Sequence, residues 1–246
     1  MATTHLAFDL GAGSGRALLG TLAHGRLDIE EVHRFPTPLQ EYADCLTWDL
    51  ETLWEEICTG YEVARQRTRS LSSLSVDSWG CDYVSLDSNG VPLRDPFCYR
   101  DSRTSGMMQR ALEKIPGRYL YYLTGTQFMD CNTLCQVLSD QILDPKLTTQ
   151  TVTRVMIADY FLYRFSGRLI AERTLASTSQ LLDIRTGTWS VDLLRRFDLG
   201  PKTWPTIVPP STPIGHTPEG VIVAAGCSHD TAAAVAAIPV SYTHLT

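Results

Sequence analysis

Two short segments at opposite ends of the chain carry residue types suited to phosphate and to protons. Near the start, Asp9-Leu10-Gly11-Ala12-Gly13-Ser14-Gly15-Arg16 sets an acid before a glycine-rich loop. Glycine lets backbone N–H groups close on anionic oxygens. Ser14 adds a hydroxyl and Arg16 a fixed positive charge. A carboxylate beside phosphate is repelled unless a cation lies between them, so Asp9 points to Mg²⁺, held directly or through waters. The plainer alternative is a tight hairpin turn that Asp9 caps. Near the end, Gly226-Cys227-Ser228-His229-Asp230-Thr231 places an acid at the mouth of an alanine-rich run. Phosphoryl transfer needs positioning, charge neutralisation and a carboxylate to take the hydroxyl proton, and Asp230 is placed for that. An ordinary helix N-cap is the competing and commoner reading.

Two further segments could line a pocket. Asp77-Ser78-Trp79-Gly80-Cys81-Asp82 ends a strand in glycine, which lets a ligand approach the backbone. Trp79 offers an apolar face to a sugar, and Asp82 an acceptor for its hydroxyls. A buried tryptophan with capping acids explains the same residues. Tyr99-Arg100-Asp101-Ser102-Arg103-Thr104 is polar and opens a helix that Asp101 or Ser102 could cap. The seven cysteines form no CxxC pair. Cys131 and Cys135 fit one helix face, but no His or Cys stands at metal-ligand spacing around them, so a structural zinc site is not expected. Scattered free thiols suit a reducing cytosol.

These residues must be positioned by the elements between them. Leu6 to Leu10 is a short apolar run and reads as a buried strand. Arg16 to Leu22 reads as a second strand, His24-Gly25 as a turn, and Leu27, Ile29 and Val32 as a third strand. A strand, not a helix, therefore follows the glycine loop, and the dinucleotide fingerprint needs a helix there. Asp49 to Gln66 is the clearest helix: Leu50, Leu53, Trp54, Ile57 and Tyr61 share one face, with Asp49 as cap. Strands follow at Ser72–Val76 and Tyr83–Asp87, with a turn at Ser88-Asn89-Gly90. Helical patterns cover 103–115, 131–142 and 152–165, broken at Pro116-Gly117 and Asp144-Pro145. Pro205, Pro209, Pro210 and Pro213 mark an extended crossing segment. Gly220 to Gly226 reads as a buried strand and Thr231 to Ile238 as a short helix. The sum is an α/β domain: a hairpin-rich sheet, helices inserted, and a return to the sheet.

The chain is 43% hydrophobic with a net charge of −6, an ordinary globular balance. Without a clustered basic run, neither nucleic acid nor an anionic membrane is an expected partner. The opening Met1-Ala2-Thr3-Thr4-His5 lacks the basic and apolar stretches of a signal peptide, so a cytoplasmic protein is expected.

In this order, the segments resemble the FGGY family of carbohydrate kinases, which have the ribonuclease-H-like fold of the actin/hexokinase type. The residues that carry the resemblance are Asp9 to Arg16, Asp77 to Tyr83, Tyr99 to Arg103, Glu172 to Asp183 and Ser228 to Ala232. It spans roughly residues 5 to 240 and is closest to the rhamnulose branch, through Trp-Gly-x-Asp and His-Asp-Thr. The resemblance implies a mixed sheet flanked by helices, with ATP and Mg²⁺ as cofactors and a small sugar as substrate. Ala12, Gly13, Ser14, Gly15 and Arg16 would bind ATP phosphates. Gly80, His229, Asp230 and Thr231 would bind the sugar, Asp230 would accept the proton of its primary hydroxyl, and Asp9 would help hold the metal. The implied reaction is ATP-dependent phosphorylation of a ketose, with L-rhamnulose giving L-rhamnulose 1-phosphate. The rivals are a non-catalytic actin-like sugar-binding module and a kinase for another ketose, such as L-fuculose or L-xylulose. Residues 1–240 are expected to form the N-terminal kinase domain and 241–246 to be a tail unlike the family. The second domain, which would supply most of the adenosine pocket, is expected to be missing by truncation.

Overall fold

The structure is a computed structural model that describes residues 2–42, 44–68 and 70–238. The expectation for 241–246 lies outside these residues. The chain opens as the expected meander of β1 (Thr3–Leu10), β2 (Ser14–Ala23) and β3 (Arg26–Pro36). The cause is alternation: Leu6, Phe8 and Leu10 are buried, while the residues between them stay partly open. A short hairpin of β4 (Leu39–Tyr42) and β5 (Cys45–Trp48) leads into α1 (Leu50–Arg67). Asp49 caps α1, its carboxyl accepting from Thr52 N at 3.0 Å. Next come β6 (Ser73–Ser78) and β7 (Tyr83–Leu86). The inserted region holds α2 (Met107–Lys114), α3 (Gly117–Thr124), α4 (Thr133–Leu143) and α5 (Pro145–Gln150). It continues through β8 (Thr153–Met156), α6 (Ile157–Ser166), β9 (Ala171–Glu172) and α7 (Arg173–Ser177). A small hairpin of β10 (Leu182–Asp183) and β11 (Thr188–Trp189) precedes α8 (Val191–Arg196) and β12 (Ile207–Val208). The chain returns through β13 (Thr212–His216), β14 (Ile222–Ala225) and α9 (Asp230–Ala236).

Among the described residues the main sheet runs β13-β14-β6-β1-β2-β3. β1 and β14 both lie parallel to β6, while β2, β3 and β13 run antiparallel to their neighbours. This is the mixed sheet with flanking helices that was expected. Helices α1 and α6 lie side by side on one face, where Trp54 meets Phe165 at 4.9 Å between ring centres and Phe8 stacks on Phe165 at 6.1 Å. Gly60 of α1 exists for this packing: a Cβ there would stand 2.9 Å from the Ala17 methyl.

The inserted region departs from the sequence pattern. The helix expected over 152–165 is two elements, because Thr153–Met156 pairs antiparallel with β7 and only Ile157 onward is helical. The helix expected from 103 begins at Met107, after a single 3₁₀ turn at Ser102–Thr104 that Asp101 caps. Pro116-Gly117 does end α2, yet Pro116 also stands at the N-cap position of the unforeseen α3. Cys131 precedes α4, so it shares no helix face with Cys135. The proline-rich crossing segment supplies β13 as the edge of the main sheet. Among the described residues no helix is long and apolar enough to cross a membrane.

Candidate functional site

Parallel pairing of β1 and β6 sets Asp9 directly beside Asp77. Both fall out of phase with the residues buried beneath α1 and α6, so both point to the opposite face of the sheet. Asp77 has its carboxyl pushed up to about 7, first by burial and then by the charges of Asp9 and Asp230. Three carboxyl groups from three distant parts of the chain thus share one field. The counter-charge is Arg16, directly across β2 from Asp9, with its Nη1 3.1 Å from Asp9 Oδ2. Its Nε is buried and has no hydrogen-bond partner among the described residues.

Arg16 pairs with Asp9, so Asp9 by itself does not demand a cation. The case for a cation therefore passes to the three carboxyls together. Among the described residues no His, Cys, Asp and Glu side chains form a ready metal-ligand set. Mg²⁺ fits nonetheless: it prefers hard oxygen donors, keeps most of its water, and needs only one or two carboxylates. The Asp77 carboxyl is raised first by burial and then by the charges of Asp9 and Asp230, and a cation there would offset those charges.

The glycine loop is a tight turn closed by Gly11 N donating to Ser14 O at 3.1 Å. Thr37, just beyond β3, holds it from behind, donating Oγ1 to Gly11 O at 2.7 Å and N to Gly13 O at 3.4 Å. Its glycines have different causes. A Cβ on Gly15 would stand 2.3 Å from the Phe35 ring, so Gly15 is a packing glycine. A Cβ on Gly13 would meet nothing within 4 Å, so its bareness leaves open space above the turn. Ala12 packs against the core and Ser14 is half-buried.

The second segment is anchored by backbone and buried polar groups. After β14, Gly226 N donates to Ser75 Oγ at 3.1 Å. Ser228 O accepts from Ser78 N at 2.9 Å, which ties this loop to the end of β6. Ser228 N donates to the buried Glu172 Oε2 at 3.1 Å, and His229 N to Thr174 Oγ1 at 3.3 Å. His229, not Asp230, occupies the N-cap position of α9, and its side chain makes no capping bond. Asp230 is the first residue inside the helix, so the N-cap explanation of this acid fails. Its side chain is 40% exposed, with Oδ1 3.4 Å from His229 Nε2 and 3.0 Å from Thr231 Oγ1, which donates to it. Burial lowers the pKa of His229 below its usual value, against the opposing pull of Asp230 and Glu172.

Next to this loop opens a cavity of about 440 Å³, a size that suits a small ligand. Gly80 and His229 line it with Trp79, Tyr99, Asn132 and Thr178. A Cβ on Gly80 would stand 2.9 Å from Thr178, so glycine is required there. Thr231 is exposed and is not part of the lining. Asp82 is not available to a sugar: it is buried and accepts from Trp48 Nε1, Trp79 Nε1, Gln136 Nε2 and Tyr99 N at 2.6, 2.9, 2.7 and 3.1 Å. Even with these donors, burial holds its carboxyl up at about 6. Arg103 is likewise structural, paired with Asp140 at 2.7 Å inside the core. Arg100 rests on Tyr99 at the rim, its Nε 3.1 Å from the phenol oxygen. The sequence reading placed Asp77 and Tyr99 in segments that could line a pocket but gave neither a role, and it passed over Asn132. Asp77 left a further signal, as a second acid at the end of a second apolar strand.

Residues 4–243 match the profile of the FGGY family of carbohydrate kinases, N-terminal domain. The chain is 36% identical over 249 residues to a rhamnulokinase of Oceanobacillus iheyensis, covering 97% of this chain and 53% of the relative. It is 38% identical over 242 residues to a rhamnulokinase of Enterobacter sp., covering 96% and 50%. The chain thus spans about half the length of the curated relatives it matches. Its fold superposes on a gluconate kinase from Lactobacillus acidophilus with a TM-score of 0.84 at 18% identity, over 94% of this chain and 48% of that one.

Proposed function

The chain belongs to the FGGY family of carbohydrate kinases, and on that premise we propose that it forms the sugar-binding, proton-accepting wall of an ATP-dependent ketose kinase. L-Rhamnulose, converted to L-rhamnulose 1-phosphate, is the favoured substrate, because the relatives compared above are rhamnulokinases. Residues 1–240 would be the N-terminal kinase domain, with the adenosine pocket completed by a second domain. The observation that carries this reading is the shared field of Asp9, Asp77 and Asp230 beside a cavity that His229 lines. Gathering like charges is costly, and a protein that does so at a cleft has a use for them.

In this reading the sugar lies against Gly80, Trp79 and His229. The lowered pKa of His229 keeps its ring neutral at pH 7, so it can either donate to or accept from a hydroxyl. Asp230 takes the proton of the primary hydroxyl as that oxygen attacks phosphorus. Thr231 steadies the Asp230 carboxyl through its hydroxyl. Arg16, Ser14 and the backbone of Ala12, Gly13 and Gly15 face the phosphates of ATP. Asp9 and Asp77 would hold Mg²⁺, which supplies charge neutralisation between carboxylates and phosphates.

Calorimetric titration of the chain with L-rhamnulose, L-fuculose and L-xylulose, and separately with Mg-ATP, tests the binding half. A ketose that binds, and that His229→Ala weakens about tenfold or more, supports the reading; absence of any ketose binding rejects it. In a protein of the relatives' length, Asp230→Asn should lower turnover on the order of 10²-fold or more. Unchanged turnover would remove Asp230 as the base. Ketose binding with no transfer at all would make the chain a sugar-binding module.

A further inference from the structure

Cys81 and Cys131 are distant in sequence and neighbours in the wall of the cavity. One amide ties their backbones together: Gln136 Nε2 donates to Cys131 O at 3.0 Å and to Cys81 O at 3.4 Å. Thr133 Oγ1 also donates to Cys81 O, at 2.6 Å, and Cys81 N donates to Thr178 Oγ1 at 3.0 Å. These bonds hold Cys81 in the left-handed backbone region, with φ of 74°, where a residue with a side chain is strained. Its Sγ lies 3.9 Å from Oδ1 of Asn132, the residue next to Cys131. Each thiol shifts the other: Cys131 is held below the usual thiol range, at about 7, and Cys81 is raised. By contrast, burial pushes Cys98 up to about 11 and Cys135 up to about 12, which leaves both unreactive.

We propose that Cys81 and Cys131 are a peroxide-oxidisable dithiol, and that their disulfide closes the cavity to its sugar. The Cys131 thiolate attacks one oxygen of hydrogen peroxide; the O–O bond breaks, giving a sulfenic acid and hydroxide, which leaves as water after taking a proton. The Cys81 sulfur then attacks the sulfenic sulfur; the S–S bond forms, the S–O bond breaks, and the oxygen departs as water with the Cys81 proton. Two thiols are oxidised and one peroxide is reduced to two waters. A dithiol reductant reverses the step. The bond draws Cys81 toward Cys131, and with them move Gly80 and Asn132, which line the cavity on either side.

The dithiol rests on the shared cavity wall, the Gln136 bridge and the mutual influence of the two thiols, whereas the effect on sugar rests on the ketose reading above. The test treats the reduced chain with hydrogen peroxide, blocks remaining thiols, and maps peptides by mass spectrometry. The expected product is a Cys81–Cys131 cross-link that is missing in both Cys81→Ser and Cys131→Ser. Thermal melts of these variants confirm that they remain folded. Both thiols staying free, a cross-link between other cysteines, or over-oxidation of Cys131 without a cross-link would each overturn the dithiol. Calorimetry with L-rhamnulose on reduced and oxidised chain is the second arm. At least tenfold weaker binding on oxidation is expected, recovered with dithiothreitol and not seen in Cys131→Ser. A cross-link that leaves affinity unchanged overturns the closure. A cross-link in a chain that never binds ketose defeats the sugar reading and leaves the dithiol standing.

Discussion

At the scale of single residues, the aspartate that matters most to the electrostatics is the one between the two acids first noticed. Asp77 has a folded value of about 7 against an ordinary 3.8. A raised carboxyl contributes stability while protonated, so the contribution is complete below pH 4 and is lost as pH rises through about 7. Asp77→Asn should therefore be more stable than the parent at pH 8, by on the order of 2–4 kcal/mol, with the gap closing toward pH 4. Thermal melts across that range check it, and equal slopes for the two proteins would refute the buried repulsion. Mg²⁺ added at pH 8 should narrow the gap, since a bound cation does what the proton does. The loop glycines give a second residue-scale contrast. Gly13→Ala places its methyl in open space, so the fold should tolerate it while Mg-ATP affinity falls. Gly15→Ala drives a methyl into Phe35 and should cost about 1–3 kcal/mol of stability. The opposite ranking in melts would mean the turn is packed differently.

At the scale of elements, the site depends on how α7 and the loop before α9 are joined. Glu172 is fully buried and accepts from Thr174 N, Leu175 N, Thr174 Oγ1 and Ser228 N. It caps α7 and holds the segment that carries His229 and Asp230. Beneath it Asp159, also buried, accepts from Glu172 N at 3.0 Å, and burial raises its carboxyl far above the normal range. Glu172→Ala would strand several buried N–H groups, at about 1–3 kcal/mol for each one left unpaired. It should lower the melting temperature sharply, and Glu172→Gln, which keeps an acceptor oxygen, should lower it less. A harmless Glu172→Ala, measured by denaturant unfolding, would mean the two elements are held by other contacts. Other elements show where local pattern misleads. Thr153–Met156 has the composition to extend α6, and pairing with β7 takes it into a strand instead. Pro116-Gly117 marks a break, yet proline also starts helices, and α3 follows at once.

At the scale of the whole molecule, the parallel order β14-β6-β1 brings the strand ends together at one edge of a cleft. Open sheets hold ligands outside the carboxyl ends of their parallel strands, and the cavity and the aspartates both lie there. Ligand binding should therefore be read by the entire fold. A ketose at about 100 times its dissociation constant should stabilise the chain by about 2.7 kcal/mol. Scanning calorimetry with increasing L-rhamnulose measures this; a melting temperature that ignores the sugar would place no ketose in the cavity.

The sequence by itself determined the meander, α1 and the closing strand and helix. Each is set by local rules: alternation, the 3.6 period, and Asp49 as cap. It also marked Asp9 and Arg16 through the glycine-rich loop and the acid before it, whereas the roles of Gly80, His229 and Asp230 came from the family resemblance. It could not say that Asp230 lies inside α9 and not at its cap, since that depends on one residue of helix phase. It could not free Asp82 from suspicion, because the donors that saturate it come from four separate parts of the chain. The placing of Asp77 beside Asp9, and of Cys81 and Cys131 in one cavity wall, was decided only by tertiary structure. Parallel strand register and loop packing join residues whose separation along the chain carries no signal of contact.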